Sequence, residues 1–292
     1  MYSHIDSNKR KSWLLIALFV GVLAAAGYAY GYVNGAGYAG LAFALLVSFG
    51  MTGFSWFFGD KLVLLTTGAR QIKTRDEYPY LWNIVENLCI TSGQPMPKLY
   101  VVEDAAPNAF ATGTSPEKAS VAFTTGLIEL LENEELEGVA AHELSHVKNF
   151  DSRYMLLVAT MVGTLTLMGD LFFRFGIGRG RRDSHPAILI IGLVFLIASP
   201  IIGELIKLAV SRSREYLADA SGALLTRYPD GLANALEKIS THGQKMRLAS
   251  NATAHLWIAS PFGPSQKFAG LFSTHPPAKE RITRLRNMAN AR

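Results

Sequence analysis

The distribution of apolar residues predicts a pair of membrane helices at the start of the chain. No charged residue occurs between Lys11 and Asp60. Because a helix needs about 20 apolar residues to cross a bilayer, this stretch divides into two spans, Trp13 to Val33 and Tyr38 to Phe58. A cleaved signal peptide is the alternative for the first span, but the apolar run is too long for one and a second run follows at once. We therefore expect a helical hairpin in a membrane.

The next segment, from Lys61 to Phe150, has the mixed composition of a water-facing domain. Apolar residues at helical spacing predict a helix over Asp76 to Thr91. Strand-like runs lie at Leu99 to Val102, Asn108 to Gly113 and Ser120 to Thr124. The last two flank a turn-rich segment and are expected to form a hairpin or meander. Asn133 is expected to cap a following helix that opens with two glutamates.

Two further apolar runs, Met155 to Gly169 and Ala187 to Gly203, predict a second membrane hairpin. Beyond them, helices are expected around Ser211 to Thr226, around Gly231 to Met246 and after Pro276 and Pro277. The predicted architecture is a mostly helical α+β domain with a small β-sheet, plus about four transmembrane helices. Its predicted parts are a membrane hairpin (1–60), the first part of the domain (61–153), a second membrane hairpin (154–210) and the remainder of the domain (211–292).

Composition narrows the class of protein. Hydrophobic residues make up 49% of the chain and charged residues only 17%, which supports a membrane location. The single cysteine, Cys89, excludes an internal disulfide and any zinc site built on paired cysteines. The net charge of +5 does not indicate a nucleic-acid partner, because the basic residues are dispersed and are densest beside apolar spans.

The segment from His142 to His146 reads His-Glu-Leu-Ser-His, which is typical of a zinc peptidase. On a helix, the two histidines are one turn apart on the same face and can hold one zinc ion. Glu143 can take the proton of a zinc-activated water and later deliver it to a leaving amine. A chance pair on a surface helix is the alternative, but the apolar neighbours indicate a packed helix, in which an unpartnered histidine pair would be costly.

A catalytic zinc site needs a third protein ligand. A metzincin is excluded because Asn149 and Ser152 occupy the positions of its glycine and third histidine. No glutamate follows at the distance of a thermolysin-like ligand. Glu215 is the preferred candidate, because Asp219 shares its helical face and can accept a hydrogen bond from a ligating histidine. Glu204 is the alternative ligand.

Four motifs together resemble the HtpX-type membrane zinc metallopeptidases, a group that also contains the CAAX prenyl proteases. They are His142 to His146, Asn108 to Gly113, Arg214 to Asp219 and Thr274 to Pro277. The resemblance implies a helical zincin-type endopeptidase that binds one zinc ion and faces the cytoplasm from the cell membrane. It also implies a role in the degradation of misfolded membrane proteins, beside a larger quality-control protease of that membrane.

The same resemblance implies that His275 and Arg281 lie near the site, with His275 as an oxyanion or substrate contact. The alternative for His275 is a helix-start residue, because two prolines follow it. The substrate is expected to bind as an added strand, since the main chain can supply affinity without a deep pocket. The expected edge is made of Asn108, Ala109, Phe110, Ala111, Thr112 and Gly113, with an ordinary inner strand as the alternative.

The charges beside the first hairpin, Lys9 to Lys11 and Lys61, predict that the domain faces the cytoplasm. Basic residues are expected on the cytoplasmic side, but four arginines between Arg174 and Arg182 would lie outside if the second hairpin crosses the membrane. The second hairpin either crosses the bilayer or only dips into it, and we favour crossing.

Two other functions compete with a general endopeptidase. One is a silent scaffold that keeps zinc for stability, against which the intact Glu143 argues. The other is an enzyme for a single substrate such as a prenylated peptide, although nothing in the sequence selects prenyl groups.

Overall fold

The computed structural model describes residues 2–33, 35–161, 163, 212–263 and 276–290. Most of the predicted second hairpin, the alternative ligand Glu204 and His275 lie outside these residues. The helices are α1 (Tyr2–Val33), α2 (Tyr38–Thr66), α3 (Pro79–Ser92), α4 (Thr125–Leu130), α5 (Asn133–Lys148), α6 (151–161), α7 (Arg212–Thr226), α8 (Pro229–His242) and α9 (Ala278–Asn290). The strands are β1 (Ala69–Gln71), β2 (Lys98–Val102), β3 (Ala109–Thr112) and β4 (Ser120–Thr124).

Helices α1 and α2 form the predicted N-terminal hairpin. Each is long and apolar enough to cross a membrane, over Asp6–Ala29 and Tyr38–Thr66. The two backbones touch at glycines, since a Cβ on Gly27 would lie 2.6 Å from the carbonyl oxygen of Gly40. Both helices are longer than the predicted spans, because α1 begins before Trp13 and α2 continues beyond Phe58.

The four strands form one mixed sheet in the order β1-β2-β4-β3. Strands β3 and β4 are antiparallel neighbours, so the predicted hairpin is present. A meander is not formed, because β2 pairs with β4 and runs parallel to it. Strand β1, which the sequence did not predict, is three residues long and pairs with the outer side of β2. The mostly helical architecture with a small sheet is confirmed.

Helix α5 packs between the sheet and the other helices of the domain. Its Leu144 belongs to a core with Val121 of the sheet, Val85 of α3, Leu236 of α8 and Leu285 of α9. A second core joins Phe110 and Trp257 to residues of α2 and α6. The helix that carries the His-Glu-Leu-Ser-His motif is therefore at the centre of the domain.

The ends of two helices differ from the predicted ends for local reasons. Helix α5 is capped by Glu132 rather than Asn133, because Glu132 and Glu135 form a reciprocal capping box. Helix α8 begins at Pro229, a residue favoured in the first turn. It ends before Met246 because Gly243, with a φ of 58°, takes the left-handed conformation that closes helices.

Candidate metal centre

Helix α5 brings the two histidines of the motif together. Because they are four residues apart on one helix, the side chains of His142 and His146 point from the same face. Both are almost fully buried. Their Nε2 atoms lie 3.1 Å apart, so the two metal-binding nitrogens converge on one point.

Helix α7 supplies the carboxylate that completes the group. Oε1 of Glu215 lies 3.6 Å from Nε2 of His146, and Oε2 lies 3.9 Å from Nε2 of His142. Glu215, Asp219 and Gly222 share one face of α7, since they are four and three residues apart. A Cβ on Gly222 would lie 3.1 Å from the backbone nitrogen of His142, so this glycine lets α7 lie directly against α5.

The geometry of these three side chains fits a tetrahedral metal ion. The donor atoms of His142, His146 and Glu215 all lie within 4.8 Å of one another. Two zinc–nitrogen bonds of about 2.05 Å at a tetrahedral angle would separate the nitrogens by roughly 3.3 Å, close to the 3.1 Å in the structure. Two imidazoles and one carboxylate are also a donor set that zinc uses in catalytic sites.

Asp219 contacts His142 on the Nδ1 side of its ring, and Arg281 in turn bonds Asp219. Nδ1 of His142 lies 3.0 Å from Oδ1 of Asp219, which leaves Nε2 for the metal. Arg281, almost fully buried on α9, donates from Nε and Nη2 to the two oxygens of Asp219 over 2.9 and 2.7 Å. Its Nη1 lies 3.4 Å from Oε2 of Glu215. The structure thus places both residues next to the predicted ligands.

Asp151 supports His146 in the same way, and sequence reasoning missed it. Its Oδ2 lies 3.2 Å from Nδ1 of His146. Asp151 follows the end of α5, beyond a turn in which Phe150 has a φ of 59°. The only signal in the sequence was an acidic residue five positions after His146, a spacing that does not share a helical face.

The two imidazoles have opposite pKa shifts in the metal-free protein. Burial lowers the pKa of His142 to about 4, although its bond to Asp219 opposes the shift. Burial also lowers the pKa of His146, but the bond to Asp151 and the charge of Glu215 outweigh burial and bring it to about 9. Since a metal binds the neutral imidazole, a metal ion bound by His146 at neutral pH would displace a proton from it.

Glu143 lies on the same helix as the histidines and faces strand β3. Its side chain is 2% exposed. Burial raises the pKa of Glu143 to about 7, while the charges of His146 and Arg281 and the backbone amide of Ala111 act in the opposite direction. A carboxyl group with this pKa can both accept and donate a proton near neutral pH.

Strand β3, within the predicted segment Asn108 to Gly113, is the terminal strand of the sheet. The backbone nitrogen of Thr124 donates to the carbonyl oxygen of Asn108. By the antiparallel alternation, the backbone groups of Ala109 and Ala111 therefore point away from β4. The carbonyl of Ala109 is already bonded to the nitrogen of Ile258 over 2.9 Å. Phe110 and Trp257 form an isolated antiparallel bridge on the same side, and the amide of Ala111 lies beside Glu143. The outer side of β3 is therefore occupied from Ala109 to the amide of Ala111.

The other members of that segment have structural contacts. The Asn108 side chain donates to the carbonyl oxygen of Ala259 over 2.9 Å. Phe110 packs edge-on against Trp257, with 4.6 Å between the ring centres. Thr112 is buried. Gly113 has a φ of 129°, and a Cβ there would lie 2.5 Å from the carbonyl oxygen of Lys118, so the turn between β3 and β4 requires glycine.

Comparison with known proteins identifies the family. Residues 75–289 match the group described as Peptidase family M48. The chain belongs to this family. The chain is similar to the Protease HtpX homolog of Tropheryma whipplei (strain Twist), with 47% identity over 292 residues, which cover 99% of each chain. The Protease HtpX homolog of Dictyoglomus thermophilum is 45% identical over 289 residues, covering 98% of this chain and 94% of that protein.

A solved structure supports the fold of this M48 peptidase. The crystal structure of S. mikatae Ste24p is similar with a TM-score of 0.52 and 18% sequence identity, covering 98% of this chain and 67% of that one. The predicted membership of the HtpX-type proteases is confirmed. The chain is a metalloprotease, and with its two long apolar helices it is a membrane metalloprotease.

Proposed function

We propose that the chain is a zinc-dependent endopeptidase whose catalytic metal is held by His142, His146 and Glu215. The observation that carries the proposal is the convergence of these three buried donor groups beside a buried glutamate. A structural metal site has no use for Glu143, whereas a hydrolytic site needs a base in this position. The carboxylates of Asp219 and Asp151 hold the two imidazoles in the tautomer that binds metal.

The proposed reaction is hydrolysis of a peptide bond by water. A bound zinc ion supplies a Lewis acid that makes water acidic enough to attack at neutral pH. Glu143 takes the proton of the attacking water and delivers it to the leaving amine, for which its pKa of about 7 is suited. Arg281 remains bonded to Asp219 and lies 3.4 Å from Oε2 of Glu215, so it acts on the reaction as a positive charge beside these two carboxylates. His275 stays a candidate for contact with the substrate or oxyanion.

The substrate is proposed to pair with the outer side of strand β3 at Ala111. An extended peptide bonded to the outward carbonyl group of Ala111 would place its chain next to Glu143, because the Ala111 amide lies beside that carboxyl group. The bond between Ile258 and Ala109 ends this edge on one side. Pairing with the main chain makes binding tolerant of the substrate's side chains, which suits misfolded proteins.

The proposed location is the cell membrane, with the peptidase domain in the cytoplasm. Lys9 to Lys11 and Lys61 flank the apolar parts of α1 and α2, which supports this orientation. Helix α6 follows α5 after a two-residue turn and leads into an apolar run. The site is therefore proposed to lie where the cytoplasm meets the lipid. Misfolded membrane proteins are the proposed substrates, and a quality-control protease of the same membrane is the proposed partner.

Zinc content and proteolysis of the detergent-purified full chain test the proposal. We expect one zinc ion per chain and cleavage of an unfolded protein such as casein, which a chelator abolishes and added zinc restores. Glu143→Gln should retain zinc and lose cleavage, whereas Glu137→Gln, on the same helix, should keep both. Turnover by Glu143→Gln would rule out the assigned base. Zinc binding by an inactive wild-type chain would instead support the silent scaffold.

A further inference from the structure

Asn8, near the start of α1, reaches the turn that follows α5. Its side chain is 4% exposed. Nδ2 of Asn8 donates to the carbonyl oxygen of Asn149 over 2.9 Å and to Oδ1 of Asp151 over 2.7 Å. A buried amide is costly unless it is hydrogen-bonded, and both of these bonds reach the same turn. They therefore fix α1 against the segment that joins α5 to α6.

This turn determines where Asp151 lies. Phe150 takes a left-handed conformation there, with a φ of 59°, which is uncommon for a residue other than glycine. The ammonium group of Lys9 lies 4.7 Å from the centre of the Phe150 ring. Two consecutive residues of α1 thus contact the turn, one through its amide and one through its charge. The conformation of this turn places Oδ2 of Asp151 3.2 Å from Nδ1 of His146.

We propose that Asn8 is a positioning residue for metal binding, acting through Asp151 on His146. This inference rests on the proposed function, because it takes His146 as a metal ligand. The amide of Asn8 occupies Oδ1 of Asp151, and Oδ2 is left to accept from the imidazole. The carboxylate is held from both sides, so the ring keeps Nε2 directed at the metal. A helix of the membrane hairpin thereby becomes part of the metal site's support.

Arg214 is the competing support for Asp151. Its Nε lies 3.9 Å from the same Oδ1 atom, which is longer than a hydrogen bond. Arg214 compensates the charge of the carboxylate, whereas the 2.7 Å bond from Asn8 fixes its direction. If the charge of Arg214 alone were sufficient, removal of the Asn8 amide would leave metal affinity unchanged.

Zinc affinity of the full chain in detergent, measured by competition with a chromophoric chelator, tests this inference. Asn8→Ala should bind zinc on the order of tenfold more weakly, and Asp151→Ala by about 10–100-fold, as for other residues that orient metal ligands. The matched control is Ser12→Ala, one turn further along α1. Ser12 is fully buried, and its hydroxyl donates to the carbonyl oxygen of Asn8 rather than to the turn after α5. Ser12→Ala should keep wild-type affinity.

A double variant separates positioning from general packing. Because Asn8 acts through Asp151, Asn8→Ala combined with Asp151→Ala should bind zinc no more weakly than Asp151→Ala alone. Additive losses would overturn the inference. So would wild-type zinc affinity in Asn8→Ala, even if the melting temperature of the metal-free protein falls, because Asn8 would then only pack α1 against α6.

Two further outcomes keep the test decisive. If Asn8→Ala does not fold, Asn8→Asp takes its place, since it has the same shape but no N–H donor and should show at least the same loss. If the wild-type chain itself binds no zinc, the proposed function fails together with this inference. If the wild-type chain binds zinc and the Asn8 variants bind it equally well, only this inference fails.

Discussion

The guanidinium of Arg281 forms a bidentate interaction with the carboxylate of Asp219, donating from Nε over 2.9 Å and from Nη2 over 2.7 Å. Both side chains are buried. Asp219 also contacts Nδ1 of His142, so one carboxylate connects α9, α7 and α5. Burial raises the pKa of Asp219, but the charge of Arg281 and the hydrogen bonds from His142 and Arg281 together outweigh burial and lower the pKa, which keeps Asp219 ionised.

Removal of Arg281 should therefore weaken both the fold and metal binding. A buried carboxylate that loses its partner costs roughly 3 kcal/mol or more, so Arg281→Ala should lower the free energy of unfolding by about that amount. Arg281→Lys should recover part of the loss, because lysine keeps the charge but not the two-pronged geometry. Urea unfolding in detergent measures the change. Arg284→Ala is the control, since Arg284 lies on the same helix and makes an exposed ion pair with Glu280 and a cation–π contact with Tyr216, each of which should contribute no more than about 1 kcal/mol.

Gly222 should set the distance between α7 and α5. A larger residue there meets the backbone of His142, so Gly222→Val should push α7 away and carry Glu215 with it. We expect a loss of about 1–3 kcal/mol of stability, as for overpacked cores, and weaker zinc binding. Ser221→Val introduces the same side chain one position earlier and should leave zinc affinity unchanged. Equal effects of the two substitutions on affinity would contradict the assignment of Gly222.

Cys89 should be inert toward alkylating reagents while the protein is folded. Burial, with a smaller contribution from the charge of Glu86, raises the pKa of the thiol to about 11. At pH 8 only about 0.1% of the thiol is then in the reactive thiolate form. Incubation with iodoacetamide followed by mass measurement should show little modification of the native chain and full modification in denaturant. Rapid alkylation of the native chain would contradict the burial of Cys89.

Because the native Cys89 should not react, cysteines introduced elsewhere can be labelled without background, which tests whether residues 154–210 cross the membrane. If that segment crosses the membrane twice, a membrane-impermeant maleimide should label Ser184→Cys in intact cells. Lys73→Cys, at an exposed position of the peptidase domain, should be labelled only after permeabilisation. Protection of Ser184→Cys in intact cells would favour a hairpin that dips into the bilayer, whereas labelling of Lys73→Cys there would invert the proposed orientation.

The sequence indicated the parts of the site that depend on local spacing. The pair His142 and His146, and the pair Glu215 and Asp219, each follow from a separation of four residues on one helix. Arg281 was expected only from the family resemblance, because no local pattern links α9 to the site. Asp151 could not be predicted, since its position depends on the left-handed turn at Phe150 and not on helical periodicity.

In the sheet, too, the sequence predicted the positions of strands but not how they pair. The residue types of β2 and β4 predicted two strands, but their parallel pairing joins segments that are separated in the chain by β3. Strand β1 is too short for an alternating pattern to be recognised. The end of α8 at His242 was misjudged because the left-handed conformation of Gly243 is a property of the folded turn.

Because the proposed ligands lie on two helices, α5 and α7, they are synthesised at different times during translation. The ribosome produces His142, Glu143 and His146 about 70 residues before it reaches Glu215. Arg281, which clamps Asp219, follows near the end of translation. A nascent chain therefore holds the proposed base and two proposed ligands before the third, so the proposed metal site stays incomplete until α7 has been synthesised.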